Sequence, residues 1–431
     1  RTPRIGDEDG GKLLFLDDRP LDDFRSTFLT AAVLFGRGDW AFVGGEPSEE
    51  LVWLLGPEAP DRLADLEAGP PTSASLALRD TGFFVTRSSW ATSADHAVIR
   101  CGPHGALSAG HAHADALSIE LTSAGIPVLV EMGTGSFMAA DVRERLRATA
   151  AHNTVTLGGR SSSEPSGPFG WSTKASSRVE AWIARPGVTY FRGLHTGYER
   201  LAAGARHVRT VLWREGGGWL LHDRVGRAEP GLEARGHFWL DPALGVVSPD
   251  GGTLLVADSD GHPVATLLAL EGSAWEPVEG LASPRYGRLE PLEGWSRPAA
   301  QDGEGSELIT LILRGDQRDL AGIEGRDCTA WRFGSRQDVL MAARTRHAPS
   351  REGAGDFASD FDWLWARPGP DGGWDEVLGI GGHRARLRGL TVEFPEPVRL
   401  FRLDREEGLR AEREDGSPVA AVRLERAGDG L

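Results

Sequence analysis

Lysine is almost missing from this chain. Only Lys12 and Lys174 stand among its 47 basic residues, against 63 Asp and Glu, and the formal net charge is −16. So acidic a chain lacks the broad basic surface that nucleic-acid binding needs, although a locally basic cleft for an acidic substrate stays open. Cysteine is scarce as well. Cys101 and Cys328 cannot make a disulfide scaffold; a single bridge is one reading, two inert buried thiols the plainer one. No apolar run reaches the length of a transmembrane helix, so no membrane partner is expected. No basic-then-apolar leader opens the chain, which begins at Arg1 rather than Met, so a leader or a whole domain upstream is an open expectation.

What is present falls into two textures. Residues 21–38, "LDDFRSTFLTAAVLFGRG", have helical spacing with Asp near the start and Gly at the end. Residues 48–67 read as a helix pair broken at Pro57 and Pro60. From about residue 76, short strand-like runs alternate with Gly, Pro, Ser and Asp: "GFFVTRSS", "HAVIRCG", "IPVLVEMG", "HNTVTLGG" and "TLLVADS". That is the pattern of a many-stranded antiparallel sandwich. "HVRTVLWREGGGWLLHDRV" reads as a hairpin, 351–375 as a long Gly- and Asp-rich loop, and "LTVEFPEPVRLFRLD" as renewed β texture. The expected fold is mainly β: a large antiparallel β-sandwich preceded by a short helical segment. The expected divisions are 1–72, 73–350 and 351–431. The 14 tryptophans are expected mostly in the core.

Polar residues concentrate in "SAGHAHADALSIELTSAG". As a strand it would put His111, His113 and Asp115 on one face, continuing as Leu117, Ile119 and Leu121. Glu131 follows an apolar strand, and His152 and Asn153 sit at the mouth of another. Three strands entering one sheet could gather His113, Glu131 and His152. Two imidazoles and a carboxylate are an ordinary zinc ligand set that leaves one position open. The plainer alternative is that each histidine caps a strand or satisfies a buried carbonyl. A cupin motif is excluded by parity, since positions 117 and 118 are Leu and Ser and Glu120 falls on the opposite face.

Five segments, "PRIGDEDGG", "SAGHAHADALSIEL", "GIPVLVEMGTGSF", "RATAAHNTVTLGGRSSSE" and "HVRTVLWREGGGWLLHDRV", together resemble the heparinase II/III family of polysaccharide lyases over roughly residues 3–240. The resemblance implies an incomplete (α/α) toroid followed by an antiparallel sandwich, and β-elimination on a uronic-acid-containing polysaccharide such as a glycosaminoglycan or alginate. It implies a structural zinc at His113, Glu131 and His152, with Glu131 departing from the more usual Asp, and a periplasmic or extracellular location. His111 then matches the sandwich histidine beside the substrate. Asn153, Arg143, Arg147 and Tyr198 are candidate substrate contacts. Plainer readings stand beside two of these: a solvated helix face for "RERLRA", and a strand aromatic with a satisfied hydroxyl for Tyr198.

The family's base/acid Tyr belongs on the toroid, yet no Tyr or His precedes residue 70; the three tyrosines are Tyr190, Tyr198 and Tyr286. Either toroid residues lie on a segment or chain outside this one, or the protein is a non-catalytic carbohydrate-binding or scaffold sandwich that keeps a zinc. "GDEDGG" lacks the spaced ligands of a calcium loop and reads as a turn at the toroid–sandwich junction.

Overall fold

The structure is a computed structural model that describes residues 2–8, 13–227, 231–302, 304–323, 328–343, 357–419 and 423–426. It divides into two compact units, 1–316 and 317–431.

In the first unit the helical spacing over 21–38 becomes the helix Arg25–Phe35, closed by Gly36 in the left-handed region, followed by the helix Gly38–Gly44. The pair over 48–67 becomes Glu49–Leu55 and Ala59–Ala64, with Pro60 in the first turn of the second, where its missing N–H costs nothing. Leu29, Ala32, Leu51 and Leu63 pack together inside this layer. Its other side leaves Phe28, Phe35, Trp53 and Leu54 open to solvent.

The sandwich follows. A five-stranded antiparallel sheet runs in sequence order through Leu76–Leu78, Phe83–Arg87, His96–Arg100, Ile119–Ser123 and Ile126–Leu129. A nine-stranded sheet contains the expected hairpin, His207–Arg214 against Gly218–Gly226. Phe84, Ile99 and Leu121 from the first sheet share one core with Phe191, Val211, Trp219 and Ile312 from the second. Each such fully buried side chain contributes about 1.5–3 kcal/mol.

A four-stranded sheet, Val155–Leu157, Ala234–Trp239, Arg288–Pro298 and Glu276–Arg285, stands beside the site. Trp239 packs on it through two glycines. A Cβ at Gly280 or Gly294 would lie 2.4 or 2.3 Å from the indole. The indole Nε1 donates to the Ala150 carbonyl at 2.9 Å, which fixes the turn that delivers His152.

The second unit is a nine-stranded antiparallel sheet around Met341, Leu364, Val392 and Phe401. The boundary between the two compact units falls at 316/317. The loop expected over 351–375 is a loop only in part: 351–356 lie outside the described residues, while Trp363–Pro368 is a strand paired with Trp374–Leu387. Cys101 and Cys328 are both buried and not joined in a disulfide, one in each unit, and burial pushes the Cys101 thiol up to about 12.

Candidate functional site

The His-x-His-x-Asp stretch is not a strand. Residues 104–118 form turns, Ala109 and Leu117 take positive φ of 60° and 61°, and the strand begins only at Ile119. Leu117 holds this uncommon conformation because three contacts over-determine it. Its N–H donates to the Arg100 carbonyl at 2.8 Å, its carbonyl accepts from Arg209 Nη1 at 2.7 Å, and its side chain is fully buried. The shared face predicted from alternation is thus replaced by a loop that turns the two histidines to different surroundings. The His111 side chain is 71% exposed and that of His113 4%.

Both rings nevertheless meet one carboxylate that the sequence did not single out. Asp7 Oδ2 lies 3.1 Å from His111 Nδ1, and Asp7 Oδ1 lies 3.1 Å from His113 Nε2. Arg143 grips the same carboxylate with both arms, at 2.7 and 2.6 Å. The Asp7 side chain is 2% exposed, and its backbone N–H donates to the His111 carbonyl at 2.9 Å. Burial alone would raise the Asp7 pKa, but the hydrogen bonds and charges of His113 and Arg143 outweigh it and hold the carboxyl below its usual value.

The segment before it is anchored just as firmly. Arg4 donates to the carbonyls of Ser283 and Pro284 at 3.0 and 2.8 Å, and its own N–H donates to Glu120 Oε1 at 2.8 Å. Gly6, at φ 62°, passes so near the His111 carbonyl that a Cβ would sit 2.6 Å from it. "GDEDGG", read as a junction turn, therefore reaches into the site through Asp7; its residues 9–11 lie outside the described residues.

His113, Glu131 and His152 do come together around a cavity of about 20 Å³, which Asp115 and Arg100 also border. His152 Nδ1 bonds Glu131 Oε2, and the His113 and His152 ring centroids are 5.3 Å apart. Burial lowers the His113 pKa. At His152 burial acts the same way but is overcome by Glu131, so its pKa is raised.

Glu131 Oε1 and His152 Nε2 are buried without a hydrogen-bond partner. An orphaned carboxylate oxygen and imidazole nitrogen are donor types that zinc takes, so the residues fit such an ion in chemistry. Their donor atoms are not gathered to ligating distance, however. Among the described residues, the group whose donors lie within 4.8 Å of one another is Asp258, Asp260 and His262, on an exposed hairpin turn.

The candidate substrate contacts are all buried. Arg143, its side chain 1% exposed, also donates to the Gly110 and Pro168 carbonyls at 2.9 and 2.7 Å, so four of its five N–H groups are engaged inside the protein. Arg147 is equally buried, donating to the carbonyls of Gly167 and Pro168 and pairing with Glu144, its guanidinium 4.8 Å from the Trp171 ring centre. Neither lies on a solvated helix face. Asn153 is a strut: Nδ2 donates to the Val130 carbonyl at 2.9 Å, and Oδ1 accepts the Trp239 N–H at 2.6 Å. Tyr198 is a core aromatic in the turn after the strand Val188–His195, and its hydroxyl donates to the Val155 carbonyl at 2.6 Å: the satisfied hydroxyl of the plainer reading is there, the strand position is not.

What faces solvent is His111. It lines a cleft of about 840 Å³ with Phe137, the segment around Arg4–Glu8, Phe24 just before the first helix, and the helix residues Thr27 and Leu54. Phe137 and Phe169 flank its ring at 5.8 and 5.9 Å between centroids, and Tyr286 packs on Phe137 at 5.1 Å. Tyr286, half-buried with its hydroxyl accepting the Phe137 N–H at 3.0 Å, is the tyrosine at this rim; Tyr190 and Tyr198 are in the core. Beneath the site, Arg209 ties Leu117 and Asn153 together through their carbonyls.

The site thus combines a helical layer, a layered antiparallel sandwich and a histidine–carboxylate rim over a cleft. The profile of the family described as Heparinase II/III-like, C-terminal, matches residues 70–332, and the chain belongs to that family. Its fold is similar to that of heparan sulfate lyase HepC from Pedobacter heparinus (18% identity, TM-score 0.59, 81% of this chain and 51% of that one). It is also similar to a solved heparinase III (15% identity, TM-score 0.57, 80% and 50%). The chain therefore spans about half the length of these solved relatives. Among curated protein sequences none matches.

Proposed function

We propose that this chain is the sandwich portion of a polysaccharide lyase that cleaves a uronic-acid-containing chain by β-elimination. The observation that carries the reading is His111, exposed at the cleft, fixed from behind by Asp7 and flanked by two aromatic rings. Elimination removes the C5 proton beside a uronate carboxylate and releases the oxygen at C4. It needs a base, an acid and donors that stabilise charge building on the carboxylate. His111 acts as the proton-transfer group on the sandwich side of the cleft. Phe137 offers its ring as a wall for the sugar.

A zinc held by His113, Glu131 and His152 would rigidify the rim rather than join the chemistry. The loop that carries His113 also carries His111. The exposed apolar side of the helical layer, with Phe28, Phe35 and Trp53, suits further toroid helices from outside this chain, which would bring the remaining base/acid and carboxylate-binding groups. An anionic uronate polysaccharide is the substrate class, and a periplasmic or extracellular setting fits such a substrate. Among the described residues no helix is long and apolar enough to cross a membrane.

A second reading, a non-catalytic carbohydrate-binding or scaffold sandwich, is favoured by the burial of Tyr190 and Tyr198. The two separate by ultraviolet absorbance of the unsaturated uronate product. The chain, and any longer form its gene encodes, would be incubated with heparan sulfate, hyaluronan and alginate. Absorbance that grows and is lost in His111→Ala supports the lyase. Silence from every form, with retained polysaccharide binding, supports the scaffold.

A further inference from the structure

We infer that Asp7 is a positioning residue that sets the tautomers of both histidines, turning His111 Nε2 into the proton acceptor that faces the cleft. The inference deepens the lyase reading and rests on it for the role of His111, but its structural content stands alone.

An ionised carboxylate only accepts hydrogen bonds and has about four lone-pair sites. Asp7 has all four met by nitrogen: Oδ1 by Arg143 Nη1 at 2.7 Å and His113 Nε2 at 3.1 Å, Oδ2 by Arg143 Nη2 at 2.6 Å and His111 Nδ1 at 3.1 Å. Arg143 carries no acceptor and stays charged, so it keeps the carboxylate ionised across from it. Each histidine must then offer an N–H. His111 carries its proton on Nδ1, and the neutral ring is left with a lone pair on Nε2. His113 carries its proton on Nε2 and is left with a lone pair on Nδ1. A carboxylate behind a ligating histidine is the usual device for orienting the ring and raising its donor strength. Here one carboxylate serves the rim histidine and the candidate ligand together.

The chain invests in this placement. Asp7 reaches the site from more than a hundred residues away in sequence. The backbone bond from Asp7 to the His111 carbonyl and the glycine forced at position 6 hold the two residues at one fixed separation.

Asp7→Asn tests the inference. Wherever the amide settles, one arm of Arg143 and one histidine meet an NH₂ group instead of an oxygen. That histidine must switch to accept, moving its own proton to the other nitrogen. Long-range ¹⁵N–¹H spectra of the ring nitrogens report this directly. The wild type should show the proton of neutral His111 on Nδ1 and that of His113 on Nε2, and Asp7→Asn should move at least one of them. A wild-type His111 protonated on Nε2, or a variant with both rings unchanged, overturns the inference. The wild-type spectrum alone decides if the variant does not fold. Where elimination is measurable, kcat of Asp7→Asn should fall about 10²-fold or more with KM little changed, as loss of an aligned proton-transfer group does. The tautomer switch without activity in any form would retain the positioning role and reject the lyase reading.

Discussion

Arg209 and Asp223 face each other across the hairpin and join through two arms, Nε to Oδ1 at 2.7 Å and Nη2 to Oδ2 at 2.9 Å, with both side chains buried. The third nitrogen of Arg209 leaves the pair to bond the carbonyls of Leu117 and Asn153, at 2.7 and 2.5 Å. The pair thus anchors the backbone that presents both loops of the site. His207 Nε2 adds a third donor to Asp223 at 2.7 Å. Removing one partner leaves an uncompensated buried charge, so Asp223→Ala should cost about 3–5 kcal/mol. Replacing both, as Arg209→Met with Asp223→Leu, should recover part of that loss. Urea midpoints of the three proteins check this; a double variant no more stable than the single would contradict it.

His237 gives the sandwich a pH dependence. Burial pulls its pKa from 6.5 down to about 4, with a smaller push from the Arg235 charge, and its Nε2 lies 3.0 Å from the Thr156 hydroxyl. The folded state holds this ring neutral. Above pH 6.5 the ring is neutral folded or unfolded, and its contribution is complete. As pH falls from 6.5 toward 4, the unfolded chain takes a proton that the folded chain refuses, and stability drops. At 1.36 kcal/mol per pKa unit the loss amounts to about 3 kcal/mol. His237→Gln should flatten that part of the profile of thermal midpoint against pH. An unchanged slope would reject the assignment.

Zinc, if it binds as proposed, should follow His152 and Glu131. Metal analysis after dialysis against buffer with trace zinc should find about one ion per wild-type chain and little in His152→Ala or Glu131→Ala. Asp258→Ala should leave the content as it was. A chelator should lower the thermal midpoint of the wild type and not of His152→Ala. Loss of zinc in Asp258→Ala alone would move the site to the exposed turn around His262.

Much of the framework was legible because it rests on local signals. Gly36, Pro57 and Pro60 punctuate the helices where the spacing places them, and "REGGGW" bends the hairpin between His207–Arg214 and Gly218–Gly226. His113, Glu131 and His152 were singled out by the family resemblance, and all three line one cavity. Two things were not legible. Alternation in His-x-His-x-Asp imitates a strand, and only the tertiary contacts of Leu117 reveal the turn. Arginine reads as surface because it is charged, yet Arg143, Arg147 and Arg209 are buried against carbonyls and carboxylates far away in sequence. Asp7 was hidden for the same reason, since nothing in "GDEDGG" names its partners. An acidic residue in a glycine-rich segment just ahead of a helical layer would have been the signal to follow.

Arg143 joins these threads, because its guanidinium does three things that one positive charge does not. It meets both Asp7 oxygens, donates to the carbonyls of Gly110 and Pro168, and lies 4.7 and 4.8 Å from the ring centres of Phe137 and Phe169. Lysine offers charge without the planar fork. Arg143→Lys should therefore behave as a damaged strut and not as a spared substrate contact. The Asp7 amide, bonded to the His111 carbonyl, should lose hydrogen-exchange protection, and so should the Glu8 amide, bonded to Thr134 Oγ1 at 2.5 Å. Arg143→Ala should go further, costing about 3–5 kcal/mol by stranding Asp7. A substrate-binding arginine would instead raise KM and weaken polysaccharide binding in a salt-dependent way while leaving both amides protected. That second pattern would return Arg143 to the cleft and release Asp7 from the role assigned to it.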